Sequence, residues 1–340
     1  MLNSFENQEF IPQIRSSEVV LTCPNLIEAL DFFTRRLGFR IDMIVPADSP
    51  RTAVVSGDGV TLRLEAETEV RPTTADEQVF VVNRLDGNNP WNEGRAGMQY
   101  RDLIPGRLGG RLIASHIRIP DGGETADYVH YHKIRFQLIY CKVGWVRVVY
   151  EDQGAPFVLL AGDCVMQPPE IRHRVLETSP GAEVIEIACP AVHETYADHD
   201  MQLPTPQFLP GRLYGDQRFV LHRTSETRWT PCSVDGFESV DTGITAATNG
   251  LAAARVVRPT LNYPRANMAF RMPDIRQAGE FLFGFILKGR LTIESIENET
   301  YQLHDGDSCV IPSELECRLS VSADLEMLDV RLHRRLIHGP

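Results

Sequence analysis

No apolar run in the sequence approaches the roughly eighteen residues that a membrane-spanning helix needs. The opening residues, MLNSFENQEF, have neither a basic stretch nor an apolar core behind it, so no secretory leader is expected. Positive charge is scarce: 34 Lys and Arg stand against 46 Asp and Glu, for a formal net charge of −12 and a pI near 5.3. Phosphate backbones are bound by clustered cations, so this balance argues against nucleic acid as a partner. The seven cysteines are odd in number and lack CxxC spacing, which argues for reduced thiols in a cytoplasmic setting rather than a disulfide scaffold.

What is present is an ordinary globular composition, 43% hydrophobic and 24% charged, over 340 residues. That length accommodates two or three domains with cores of their own. The stretch from Gly122 to Glu177 organises the rest. His130 and His132 lie in a run rich in strand formers, Tyr128, Val129 and Tyr131. In a strand, positions i and i+2 point to one face, so both imidazoles project together. His173 follows Gln167-Pro168-Pro169 and begins a second strand-like run. Imidazoles converging from neighbouring strands suit a first-row transition metal.

The spacing resembles the cupin family, small β-barrels with two sequence motifs. The first appears here as Gly123, His130-Tyr131-His132, Gln137 and Gly144; the second as Gly162, Pro168, Glu170 and His173. Two positions depart from the family pattern: Gln137 replaces a glutamate, and Glu170 replaces a glycine. The resemblance implies one divalent transition metal per chain, held by His130, His132 and His173. Gln137 is placed beside it as a weak ligand or as a hydrogen-bond partner that orients water or substrate. An amide accepts no proton near neutral pH, so Gln137 cannot be a general base. His116, Phe136, Ile139 and Met166 are the candidates to line a substrate pocket.

An internal repeat extends the barrel reading to the C-terminus. Asp102 recurs as Asp241, Leu112 to Pro120 as Leu251 to Pro259, Gly144 as Gly289, Gly162-Asp163 as Gly306-Asp307, and Pro168 as Pro312. The fold class expected is therefore mainly β, with two tandem cupin (jelly-roll) barrels. Residues 98–202 form the metal-binding barrel and residues 236–335 a degenerate one, in which Cys317 stands at the position of His173 and no histidine falls between Ala269 and Gln277. Segments 71–97 and 203–235 are read as linkers. In residues 1–70, the runs around Val19–Thr22, Leu26–Leu37, Phe39–Ile44, Arg51–Ser56 and Val60–Glu65 give a βαβββ order. This part, most clearly Ala29 to Phe39, resembles half of a vicinal oxygen chelate (glyoxalase-like) unit. Glu65 lies near a ligand position of that family, but the first strand offers no partner ligand, so a structural or dimer-forming role is expected. A lone module of this kind leaves sheet surface uncovered, so a homodimer is expected.

Three neutral imidazoles leave a bound ion its full charge, which favours a small anionic, bidentate oxygen chelator of the enolate, catecholate or salicylate type. Cupins with three histidines and no glutamate ligand include dioxygenases. The leading expectation is thus an Fe(II) dioxygenase, with Mn, Ni or Zn possible as the metal. Two alternatives stand beside it: a non-redox isomerase, lyase or hydrolase, and a ligand-binding or sensor protein with a structural metal.

Overall fold

The structure is a computed structural model that describes residues 18–67, 80–87, 90–93, 97–261, 281–295, 299–313 and 315–338. The segment from Ala269 to Gln277 lies outside the described residues. The chain divides into two compact units, one of residues up to 44 with 50–69, the other of residues 45–49 with 70–340.

The smaller unit runs strand Val19–Cys23, helix Leu26–Asp31 continuing as a π-turn over Phe32–Arg36, then strands Arg40–Val45, Thr52–Gly57 and Val60–Ala66. Asn25 starts the helix by accepting from the amides of Ile27 and Glu28, while its own amide donates to Glu28 at 2.8 Å. Val19–Cys23 pairs parallel with Val60–Ala66, which pairs antiparallel with Thr52–Gly57 across the Asp58-Gly59 turn. The βαβββ order is that expected from the sequence.

The larger unit holds two barrels, each a pair of facing sheets. In the first, one sheet carries Thr195–Ala197, His130–His132, His173–Thr178, Trp145–Tyr150 and Phe157–Leu160. The other runs Val220–His222, Cys164–Gln167, Phe136–Val143, Ala182–Cys189, Ile113–Ile119, Gln99–Asp102 and Asn92–Glu93. In the second barrel, Phe281–Lys288 lies between Ser308–Pro312 and Glu326–Leu332, with Leu291–Ser295, Thr300–Leu303 and Cys317–Val321 opposite. The repeat seen in the sequence is a repeat of structure. Gly144 and Gly289 close equivalent hairpins with φ of 72° and 81°, and each preceding strand has a bulge at the same place, Cys141/Val143 and Ile286/Lys288.

The two barrels share a core. Phe136, Leu138, Tyr140, Met166 and Ile187 of the first pack with Phe281, Phe283, Phe285 and Val330 of the second. Alternation along each strand therefore separates two buried faces, one turned into its own barrel and one turned toward the other barrel. The segments read as linkers are partly strand. Val81–Asn83, which precedes the first barrel, pairs with Ser308–Pro312 of the second, while Val220–His222 pairs with Cys164–Gln167 of the first.

A buried polar cluster sits in this seam. Arg101 is fully buried and donates to Gly306 O at 2.6 Å, to Arg84 O and to Asn83 Oδ1. Its guanidinium approaches His116 Nδ1 at 3.5 Å, so that nitrogen is the acceptor and Nε2–H donates to Glu183 Oε2 at 2.8 Å. Trp91 and Phe285 pack edge-on against the His116 ring. Lys142 also donates to Glu183, and Arg118 lies 3.5 Å from it.

Burial lowers the His116 pKa below its ordinary 6.5, against the pull of Glu183. The hydrogen bond from His116 brings Glu183 down from 4.5 to about 2, against burial. In both, the unfolded chain binds the proton more readily. Stability from His116 is full above pH 6.5 and declines as pH falls below it; stability from Glu183 is full above 4.5 and is lost as pH falls toward about 2. The urea midpoint is accordingly expected to fall on acidification from pH 7 to 4, and to fall less in His116→Leu. An equally steep decline in that variant would remove His116 from the account.

Candidate metal centre

His130, His132 and His173 converge. The three rings are buried, their candidate ligand atoms lie within 4.8 Å of one another, and ring centroids are 4.2–5.2 Å apart. Local sequence explains the placement. His130–His132 is a three-residue strand whose ends share a face, while Tyr131 turns outward to stack on Tyr196. His130 is the register partner of His173, the first residue of its own strand. The turn before His173 has Glu170 at φ 61°, in the left-handed region, and the Glu170 amide donates to His132 O at 3.2 Å. A glycine meets that conformation without strain, which is why glycine suits the motif there.

Each imidazole is anchored through Nδ1: His130 to Tyr128 O at 2.8 Å, His132 to Thr195 Oγ1 at 2.9 Å, and His173 to Ile171 O at 3.0 Å. A carbonyl accepts only, so Nδ1 carries the proton in His130 and His173, and Nε2 is the nitrogen suited to an ion. The buried carboxylate of Asp127 lies 3.5 Å from His130 Nδ1 and accepts from the Val175 amide at 2.9 Å. His173 also stacks on Tyr150. Three oriented, buried imidazoles are a donor set that fits a divalent transition ion.

Beneath the histidines lies a cavity of about 120 Å³. It is close in size to the engineered cavity of about 150 Å³ that takes up a single benzene. Its walls include Ile117, Ile139, Val146, Val148 and Leu159, with Asp48, Ser115, Gln137, Gln167, Glu186 and His193 among the polar members. Among the described residues that line it there is no lysine or arginine.

Of the residues expected here from sequence, Gln137 and Ile139 line the cavity with the three histidines. Phe136 and Met166 do not. They belong to the core shared by the two barrels, because in a strand the neighbours of an inward residue point outward. His116 is likewise turned into the seam, with Ser115 and Ile117 on the cavity side. Residues 193–197 supply His193 to the cavity wall and a strand beside His130–His132. Burial lowers the His193 pKa below its ordinary value. Thr195, Asp127, Gln167 and Glu186 had no signal in sequence. The partners of Asp127, Glu186 and Thr195 lie 3, 49 and 63 residues away, and no spacing rule connects them.

Architecture and site together define a tandem cupin fold with one histidine centre among the described residues. No protein-family model matches the sequence, and no curated protein matches it. Among solved structures, two single-site variants of the oxalate decarboxylase of Bacillus subtilis match with TM-scores of 0.51 and 0.50. Each is 16% identical, over 78% of this chain and 80% of theirs. At that identity the likeness is one of fold.

Proposed function

We propose that the chain is a metal-dependent cupin enzyme, a mononuclear non-haem Fe(II) dioxygenase acting on a small anionic aromatic or enolisable oxygen chelator. The observation that carries this reading is the donor set: three imidazoles with Nδ1 anchored, and an amide, Gln137, where a carboxylate would stand. Imidazole suits Fe, Zn, Ni and Cu, whereas Mn prefers carboxylate and carbonyl oxygen. When bound, Fe(II) supplies Lewis acidity and the electrons for dioxygen chemistry. The chain's own residues do the rest. The aliphatic walls exclude water and seat an apolar body of about one ring, and Gln137 presents an amide to it.

A second reading, a decarboxylase or other lyase working with Mn, is favoured by the fold shared with oxalate decarboxylase. The cavity speaks against oxalate itself, since beyond the metal ion a dianion would meet Asp48 and Glu186 and no lysine or arginine among the described lining residues. Anaerobic metal analysis followed by oxygen uptake decides between the two. The iron-loaded chain is expected to consume oxygen with salicylate-, gentisate- or diketone-type compounds. Turnover of a carboxylic acid without oxygen, with Mn in place of Fe, would replace the dioxygenase reading by the lyase one.

The homodimer and the structural role of the glyoxalase-like unit belong to the same proposal. They are supported by the apolar exposure of Val19 and Val20 (52% each), on a strand at the end of its sheet, and of Ile27 at 57%. A monomer by light scattering would remove the dimer.

A further inference from the structure

The cavity carries a second group of polar side chains on the sheet facing the histidine strands. Gln137, Gln167 and Glu186 sit there among aliphatic neighbours, and Gln137 and Gln167 are register partners across adjacent strands. Directly opposed residues have Cβ atoms only about 5 Å apart. Both amides are 2% exposed. Gln137 Nε2 donates to Glu186 Oε1 at 2.8 Å. A carboxylate offers acceptors only, so it dictates which end of the Gln137 amide faces it and turns Oε1 elsewhere. Among the described residues, Gln137 Oε1 and Gln167 Nε2 are both buried without a hydrogen-bond partner.

A buried acceptor beside a buried donor carries a desolvation penalty that a ligand can relieve. The simplest group that donates to one and accepts from the other is a hydroxyl. We infer that the cavity binds its ligand through a neutral hydroxyl, donated to Gln137 Oε1 and accepting from Gln167 Nε2, in addition to the oxygens that chelate the metal. Glu186 fixes the Gln137 amide and, with no lysine or arginine in the described lining, excludes a second negative charge. The ligand class is a hydroxylated monoanion, an assignment that rests on the metal-dependent reading above.

The test is calorimetric and needs no turnover. The full chain is loaded with Ni(II) and titrated with salicylate, then with 2,3-, 2,4- and 2,5-dihydroxybenzoate, and with oxalate. One dihydroxy isomer is expected to bind about tenfold more tightly than salicylate, the effect of one added hydrogen-bonded group. Gln167→Leu, or Gln167→Met should the first variant fold poorly, removes that advantage and leaves nickel content and salicylate affinity unchanged. Glu186→Gln is expected to strengthen oxalate binding about tenfold by removing a like charge. The hydroxyl subsite is overturned if no isomer exceeds salicylate, if none of the four benzoates binds the nickel-loaded chain, or if the advantage survives both Gln167 variants. A chain that retains no nickel, or that binds the benzoates equally without it, overturns the metal-dependent reading instead.

Discussion

Replacing His130, His132 or His173 by alanine is expected to lower affinity for a divalent transition metal by more than 100-fold, while the far-ultraviolet spectrum stays that of the parent. Loss of an outer hydrogen-bond partner of a metal-bound histidine commonly lowers affinity by about 10–100-fold. Loss of the imidazole itself removes one of three donors and must exceed that range. Thr195→Val sets the scale within the same protein. It spares the ring but removes the hydroxyl 2.9 Å from His132 Nδ1, and should fall within the 10–100-fold range. Elemental analysis after gel filtration reads both effects. Full occupancy in the triple alanine variant would place the metal elsewhere and sink the assignment.

The second large effect concerns the seam between the barrels. Arg101→Ala is expected to destabilise the chain by about 3–5 kcal/mol, the range for emptying a large buried side chain and orphaning its partners. Arg101 is fully buried, and its donors reach Gly306 O in the second barrel as well as Arg84 O and Asn83 Oδ1 in the strand segment paired to that barrel. Burial lowers its pKa, with Asp307 and Glu183 opposing. The planar fork serves several acceptors at once, which an ammonium on a single stem does not, so Arg101→Lys should recover little. Urea denaturation measures the loss. A shift below about 1 kcal/mol in Arg101→Ala would show that the barrels are held by their apolar contact alone.

Both predictions depend on different amounts of tertiary information. The histidine centre was legible because two of its three imidazoles are placed by a local rule. Residues i and i+2 of a strand share a face, and His130-Tyr131-His132 states this in three letters. The third histidine follows a turn, Pro168-Pro169-Glu170, in which Glu170 has a positive φ. The repeat was legible for a similar reason. Gly144 and Gly289 are needed for hairpins that no other residue turns as easily, and they recur with the strands around them.

The lining of the cavity was not legible in the same way. Phe136, Met166 and His116 carry the same alternating pattern as Gln137, Ile139 and Ser115, and alternation says only that there are two faces. When one face meets solvent, the apolar one is the interior. Here both faces are buried, because the seven-stranded sheet of one barrel packs on that of the other. Hydrophobicity then stops distinguishing inside from seam, and an apolar residue beside a motif is as well placed in either.

From sequence alone came the mainly β class, the tandem repeat, the βαβββ order at the N-terminus and the three imidazoles, all set by periodicity and turn chemistry within a few residues. The tertiary structure alone decided what surrounds them. Thr195 reaches His132 across 63 residues, Glu186 reaches Gln137 across 49, and Arg101 reaches Gly306 across 205. Those partners are chosen by which strands lie side by side, and strand order depends on how two barrels bury their shared face, a property of the whole chain.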